Sequence, residues 1–133
     1  MLNLTQHPAT PEQVAAGVID VNNQDRAALS AWLTFDTLPT QAEVFERAQV
    51  LAGIVAGDSK SVRCEPHTQA MIGGAPFLMA PLEAALSARG ITAFYAFSVR
   101  ESIEQTQQDG SVRKIATFKH AGFVAGTEST HQE

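Results

Sequence analysis

Three short polar segments of the sequence carry residues that could bind a phosphate group. Each follows an apolar segment, and their members are Thr5, Gln6 and His7, then Gly73, Gly74, Ala75 and Pro76, then Ser98, Val99, Arg100, Glu101 and Ser102. A guanidinium fork, hydroxyl groups and the backbone amides of a glycine loop all donate hydrogen bonds to phosphate oxygens. Only Glu101 among these residues is acidic. The three segments therefore favour a small anionic ligand, such as a sugar phosphate.

Each segment also has a purely structural explanation. The doublet of Gly73 and Gly74 lacks both the G-x-G-x-x-G spacing and the lysine of a P-loop, so it could form only a tight turn. Arg100 could lie on the surface of a hairpin. His7 precedes a proline in an extended segment, where a structural or exposed histidine is the more common case. The residues alone leave both explanations open.

The spacing of the histidines bears on whether a metal takes part. A site combining His7, His67, His120 and Glu101 is conceivable, but no two of these histidines have the short separation typical of zinc ligands. We expect no metal and no other cofactor. Cys64 is the single cysteine, which excludes an internal disulfide and fits a reducing compartment. No paired base accompanies it in the sequence, as a reactive thiol would require.

Composition limits the classes of protein to which the chain can belong. With 133 residues, 44% of them hydrophobic, it is long enough for one domain with a single core. The net charge of -5 argues against a protein that coats duplex nucleic acid, which normally carries a basic surplus. The N-terminus has no basic segment, and no run reaches the roughly 18 apolar residues of a membrane helix. We therefore expect a cytoplasmic protein without a membrane partner.

Residues 70–102 supply the central unit that would bring the polar segments together. Residues 70–72 predict a strand, and residues 91–97 predict another that is buried on both faces. Because Pro81 has no amide hydrogen and belongs in a first turn, we place the start of the intervening helix at residues 78–81 and its end before Gly90. Strand, helix and strand form a right-handed βαβ unit, which binds ligands beyond the carboxyl ends of its strands.

Helices are also predicted between the first strand and this unit. Thr10 and Thr40 each begin a capping box, with a glutamine and a glutamate three residues later. The helix after Thr40 carries apolar residues at helical spacing as far as Gly57. A further helix is expected over residues 25–33, capped by an asparagine that precedes it. Residues 58–69 show no sustained period and predict a loop.

Asp109 and Gly110 form the strongest hairpin signal in the chain. They predict a turn between antiparallel strands over residues 103–107 and 111–118. Residues 1–126 then form one domain, and we expect residues 127–133 to be a disordered tail. The predicted fold class is α/β and Rossmann-like, with a short, mainly parallel sheet, helices on its faces and a C-terminal antiparallel hairpin.

In this arrangement the carboxyl ends of three parallel strands meet at one edge of the sheet. The polar segments after these strands would form one pocket, in which Arg100 and the amides of Gly73 and Gly74 hold a phosphate. His120 follows the last predicted strand and could reach the same edge, or simply remain solvated.

Four short motifs carry a resemblance to a known family. They are the first strand LNLTQH, the loop IGGAP, the segment YAFSVRES and the later hairpin ending in FKH. Together they resemble the small, stand-alone CARF-like proteins of CRISPR neighbourhoods. The resemblance implies a Rossmann-like fold, a homodimer and binding of a cyclic oligoadenylate, which several members cleave as ring nucleases in antiviral defence. It also implies that residues 5–7 and 98–102 contact the ring.

The function predicted from these observations is binding and metal-independent cleavage of a cyclic oligoadenylate. As the resemblance implies, a ribose 2′-hydroxyl attacks its own phosphate and a 2′,3′-cyclic phosphate forms. The catalytic candidates are His7, Arg100 and His120, and the ligand-binding candidates are Thr5, Gln6, Gly73, Gly74, Ala75, Ser98 and Ser102. Two alternatives stay open. One is a non-enzymatic sensor of a nucleotide or small anion that uses the same pocket, and the other is an interaction protein of a mobile element with no small-molecule ligand.

Overall fold

A four-stranded sheet forms the centre of the computed structural model, which describes residues 1–126. Its strands are β1 (Leu2–Leu4), β2 (Gln69–Ile72), β3 (Thr92–Thr106) and β4 (Val112–Ala125), in the spatial order β1-β2-β3-β4. The pairs β1–β2 and β2–β3 are parallel, and β3–β4 is an antiparallel hairpin. The chain is therefore a single mixed α/β domain, and the predicted fold class is confirmed. The predicted tail at residues 127–133 lies outside the described residues.

Four helices lie in the connections between the parallel strands, three between β1 and β2 and one between β2 and β3. They are α1 (Pro11–Ala15), α2 (Arg26–Leu33), α3 (Gln41–Val55) and α4 (Pro76–Ala88). Thr10 and Gln13 form the predicted capping box before α1. Thr40 accepts a hydrogen bond from the amide of Glu43, but the Glu43 side chain pairs with Arg47 at 3.2 Å instead of returning to Thr40. Only half of the second capping box is therefore formed.

The predicted start of α4 is wrong. The helix begins at Pro76, whose missing amide hydrogen causes no loss at the first helical position, and Pro81 lies inside the helix. A proline at this point removes the hydrogen bond to the carbonyl four residues earlier, and its ring crowds that carbonyl. Burial of Leu78, Leu82 and Leu86 on the apolar side of α4 offsets this cost. Gly90 follows α4 with a φ of 73°, as predicted for the residue that ends the helix.

One face of the sheet packs against α3 and α4, and α2 packs on α3. The contribution of this face to the core is Leu2, Leu4, Ala70, Ile72 and Ala93, and the helices contribute Leu29, Leu33, Ala48, Leu51, Leu78, Leu82 and Leu86, among others. Because side chains alternate along a strand, Asn3, Met71 and Phe94 point to the opposite face. No helix over residues 1–126 is long and apolar enough to cross a membrane.

The hairpin of β3 and β4 is much longer than predicted. Strand β3 does not stop at Phe97 but continues to Thr106, and its register with β2 ends at Phe94. Beyond this point β4 is its only strand partner within the described part of the chain. The prediction that residues 91–97 are buried on both faces is wrong as well, because Phe97 is 54% exposed. We call residues 98–106 of β3 and 112–120 of β4 the ribbon.

A β-bulge separates the ribbon from the sheet. Phe97 lies opposite Gly122, whereas Ser98 lies opposite His120, so Ala121 is an extra residue on β4. The turn at the other end of the ribbon is the predicted one. Gly110 has a φ of 88°, and the amide and hydroxyl of Ser111 both donate to a carboxylate oxygen of Asp109.

Candidate functional site

A groove of about 500 Å³ lies at the carboxyl ends of β1 and β2. We call it the strand-end groove; its lining is Thr5, Gln6, His7, Pro8, Thr10, Gln13, Met71, Ile72, Gly73, Gly74, Tyr95 and Ala96. Its volume falls within the range of about 300–1,000 Å³ that is typical of small-molecule sites. The groove combines polar side chains from one wall with a glycine turn on the other.

The structure brings together five of the residues predicted from the sequence. Thr5, Gln6, His7, Gly73 and Gly74 all line the strand-end groove. They meet because β1 and β2 are parallel neighbours, with Leu4 in register with Ile72, so that both chains leave the sheet at the same edge.

Asn3 holds residues 5–7 in position. Its side chain is buried, and its nitrogen donates to the carbonyl of His7 at 2.8 Å and to a carboxylate oxygen of Asp20 at 2.7 Å. Its side-chain oxygen accepts from the amide of Thr5 at 3.0 Å and from the Thr5 hydroxyl at 2.7 Å. All four hydrogen-bonding positions of the amide are therefore used, which fixes this wall of the groove. Sequence analysis missed this role, although a single polar residue within an apolar strand was a signal for it.

The other wall is the turn from β2 into α4. Gly74 has a φ of 139°, which residues with a side chain rarely adopt. Ala75 is the N-cap residue of α4 and provides no side-chain cap, and the first turn carries no acidic residue. The N-terminus of this helix therefore keeps its partial positive charge beside the glycine turn. Pro76 has no amide hydrogen and the Leu78 amide donates to the Ala75 carbonyl, which leaves the Phe77 amide as the donor of the first three helical positions. Ala75, predicted to bind the ligand, lies next to the groove lining at this helix start.

Tyr95 and Glu83 form a contact at the groove that sequence analysis missed. The phenol of Tyr95, on β3, donates to a carboxylate oxygen of Glu83, on α4, at 2.5 Å. Burial, together with the hydrogen bond and charge of Glu83, raises the pKa of Tyr95 to about 12. The phenol is therefore protonated at neutral pH and serves as a donor. No sequence spacing joins these two residues, because they meet only when the helix packs on the strand.

The structure corrects the predicted positions of Ser98, Arg100 and Ser102. These residues lie within β3 on the ribbon and not at the carboxyl end of a strand, because β3 continues past them. None of them lines the strand-end groove. Their proposed contacts with a ligand stay predictions.

Ser98 and Arg100 nevertheless share a face of β3 with Ala96, which lines the groove. At about 3.3 Å per residue, Arg100 lies roughly 13 Å beyond Ala96 along the strand. Ser98 and Arg100, which we call the polar track, therefore continue one face of the groove along the ribbon.

His120 lies within β4 and not after it, opposite Ser98 on the ribbon. Its ring meets the ring of Phe123 edge to face, with 4.9 Å between the centroids. Its Nδ1 atom is buried and has no hydrogen-bond partner among the described residues. His120 therefore stands beside the track that leads from the groove and not inside the groove.

Of the residues considered for metal or thiol chemistry, His7 lines the strand-end groove, whereas Cys64, His67, Glu101 and His120 do not. Over residues 1–126 there is no group of three or more His, Cys, Asp or Glu side chains arranged to hold a metal ion. The thiol of Cys64 donates to the carbonyl of Ile54, and burial and the charge of Asp25 raise its pKa. Burial lowers the pKa of His67, which follows Cys64 in the same loop.

These observations define a single-domain α/β protein with a candidate ligand site where parallel strands end. The chain belongs to the Uncharacterized protein MJ1673 family, whose family model matches residues 1–124. The match spans the strand-end groove and the ribbon alike. No curated protein and no solved structure matches the chain.

Proposed function

We propose that this chain binds a cyclic oligoadenylate and cleaves it as a metal-independent ring nuclease of CRISPR-linked antiviral signalling. The observation that supports this proposal most is the strand-end groove. In it, the glycine turn and the N-terminus of α4, which has no side-chain cap, face the wall formed by residues 5–7. The proposal also rests on the resemblance of four sequence motifs to CARF-like proteins.

The proposed phosphate subsite lies at the start of α4. Backbone amides at a helix N-terminus bind phosphate oxygens, and the helix dipole favours the negative charge. Gly73 and Gly74 allow a phosphate to approach the backbone closely, since neither carries a Cβ. An anion needs no basic side chain at this subsite.

The polar track beside the groove favours a ligand with several phosphates. A mononucleotide would fit within the groove, whereas Ser98 and Arg100 continue the same face along the ribbon. A ring of several nucleotides would place one phosphate at α4 and bring another toward the guanidinium of Arg100, which can bind it through two parallel hydrogen bonds.

In the proposed reaction a ribose 2′-oxygen forms a bond to the adjacent phosphorus and the bond from phosphorus to the 5′-oxygen breaks. The attacking hydroxyl loses its proton, the leaving 5′-oxygen gains one, and the products are a 2′,3′-cyclic phosphate and a 5′-hydroxyl. His7 lines the groove and is the proposed proton-transfer residue there, with His120 as the candidate on the ribbon. Neither step requires a metal or an oxidant.

Thr5 would orient the sugar. Because the Thr5 hydroxyl donates its proton to Asn3, its free lone pair can accept a hydrogen bond from a ribose hydroxyl. The α4 amides and Arg100 would stabilise the charge that develops on phosphorus-bound oxygens.

A non-enzymatic sensor is the second candidate function. The observation that favours it is the position of Arg100, roughly 13 Å along the strand from Ala96, which leaves charge stabilisation inside the groove to backbone donors. Such a site can bind an anion without lowering the barrier to its cleavage. In either form we propose a cytoplasmic homodimer.

Thermal unfolding with cyclic tri-, tetra- and hexa-adenylate tests the proposal directly. A ligand at about 100 times its dissociation constant should stabilise the protein by roughly 2.7 kcal/mol. Absence of any shift with cyclic or linear oligoadenylates and with mononucleotides would rule out the groove as a nucleotide site. Chromatography of the incubated ligand then separates the two functions: a linear product with a 2′,3′-cyclic phosphate supports the nuclease, and unchanged ligand supports the sensor.

Three variants assign the roles within the site. His7→Ala should lower single-turnover cleavage by about 10²- to 10⁴-fold and leave affinity largely intact. Arg100→Ala should weaken binding by roughly ten- to a hundred-fold, and lysine should restore it only in part. Arg113→Ala on β4 is the matched control and should change little. Cleavage that EDTA abolishes and manganese restores would contradict the metal-independent reaction.

A further inference from the structure

We propose that two copies of this chain pair through the exposed edge of β3 in the ribbon, antiparallel and with Ser102 on the twofold axis. Every β3 residue over positions 98–106 is exposed, including the apolar Val99 (45%) and Ile103 (47%). A two-stranded ribbon that stands alone in water is marginally stable, and its unpaired strand edges are templates for further strands. The ribbon is therefore a surface that a second strand would complete.

The two edges of the ribbon differ in charge. Strand β4 carries only basic charges over residues 112–120, namely Arg113, Lys114 and Lys119, and basic side chains on an edge strand oppose pairing with another copy of that edge. Strand β3 carries both signs over residues 98–106, namely Arg100, Glu101 and Glu104. Pairing of β3 with β3 is therefore the self-complementary choice.

Symmetry restricts the possible registers of such a pair. A twofold axis perpendicular to a sheet opposes residues whose side chains point to the same face, so the axis must lie midway between one residue of β3 and its own copy, and we name each axis by that residue. An axis at Arg100, Glu101 or Glu104 would place that charge directly opposite its own copy, which is destabilising. An axis at Ile103 opposes no charged pair. An axis at Ser102 opposes Arg100 to Glu104 of the second copy, and the symmetry repeats this pair.

The length of the ribbon favours the same axis. The bulge lies between Phe97 and Ser98, and the register with β4 ends at Thr106, so the ribbon contains nine consecutive opposed pairs. Ser102 is the middle of these nine β3 residues. An axis there pairs all nine β3 residues of the ribbon, about 30 Å at 3.3 Å per residue. The two ribbons then form one antiparallel sheet in the order β4-β3-β3-β4, with the basic β4 edges outside.

This inference deepens the homodimer of the proposed function, since it names the surface and the register. It gives Arg100 a carboxylate partner in the second copy in addition to its proposed phosphate. The tests below use the full chain without ligand. If the unchanged chain is a monomer that still binds nucleotide, this inference alone is overturned. If it is a dimer of the stated register that binds no nucleotide, the proposed function alone is overturned.

Disulfide formation tests the position of the axis. In a Cys64→Ser background, Ser102→Cys should form an intermolecular disulfide under mild oxidation, because the Cα atoms of directly opposed residues in an antiparallel pair lie about 4.5–5.5 Å apart, within the roughly 4.4–6.8 Å that a disulfide spans. Ala116→Cys is the matched control, since Ala116 lies opposite Ser102 on the same face but on β4. Light scattering of the unmodified chain should give twice the monomer mass. A monomer, a larger open assembly, or cross-linking through Ala116 instead of Ser102 would each overturn the proposal.

Charge exchange tests the register by a measurement that needs no cysteine. Arg100→Glu and Glu104→Arg should each raise the dimer dissociation constant by roughly tenfold or more, because each creates two like-charge pairs across the axis. The double variant should recover most of the affinity, and Lys119→Glu on β4 should leave the dimer intact. Circular dichroism confirms that each variant is folded. Equal dissociation by the single and double variants would contradict the Ser102 register.

Discussion

Tyr95 is the only tyrosine in the chain, so its titration can be followed directly by the ultraviolet absorbance of tyrosinate. We expect a midpoint near 12 instead of the ordinary 10, because the phenol is partly buried and donates to Glu83. Glu83→Gln should move the midpoint toward 10 without reaching it, since burial is the larger of the causes and persists in the variant.

The same shift predicts how stability depends on pH. The pKa of Tyr95 in the folded protein lies above its unfolded value, so this contribution is complete below about pH 10 and is lost as the pH rises from 10 to about 12. At neutral pH, Tyr95→Phe should lower the free energy of unfolding by about 1 kcal/mol, a reduced value because the group is only partly buried. The measurement is urea unfolding of both proteins across this pH range.

Two results would refute this reasoning. One is a reversible absorbance midpoint close to 10 while circular dichroism shows an intact fold. The other is an equal loss of stability between pH 10 and 12 in Tyr95→Phe and in the unchanged protein, which would assign the alkaline transition to other groups. His7→Ala is a suitable control, because His7 lines the same groove but is not the hydrogen-bond partner of the phenol.

Three further variants test the core, a helix cap and the glycine turn by urea unfolding. Leu51→Ala should lower the free energy of unfolding by about 2–5 kcal/mol because Leu51 is fully buried, while Leu38→Ala, the same truncation at a 95% exposed residue, should change it little; equal effects would contradict the assigned core. Thr40→Ala should cost about 0.5–2 kcal/mol through loss of its bond to the Glu43 amide, and no cost would mean that α3 does not depend on this cap. Gly74→Ala should cost about 1 kcal/mol or more, since its φ of 139° strains any residue with a Cβ, and unchanged stability would contradict that conformation.

The helices could be predicted where a local signal fixes both ends. The cap at Thr40, the apolar side that includes Leu51, and Gly57 with its φ of 82° each act within a few residues, so α3 could be located before any tertiary contact was known. The start of α4 could not. Pro81 favours a first turn in general, and only the packing of Leu78 and Leu82 into the core shows why the helix extends through it.

The length of β3 could not be predicted because burial leaves no pattern on a strand that is exposed on both faces. Residues 98–106 mix polar and apolar side chains without the alternation that a half-buried strand would show. For the same reason the groove was predicted only in part. The parallel pairing of β1 and β2 brings residues 5–7 and 73–74 together. Arg100 would join them only if β3 ended near Phe97, as predicted, but β3 continues to Thr106.

The bulge at Ala121 divides β4 into two parts with independent lengths. On the sheet side, four pairs run from Phe94 with Ala125 to Phe97 with Gly122, and the first of them lies where β3 still pairs with β2. On the ribbon side, an opposed pair of residues could be inserted or deleted without disturbing the register of that inner part. Relatives of this chain could therefore differ in the reach of the hairpin by about 3.3 Å per pair while the groove and the core keep the same geometry.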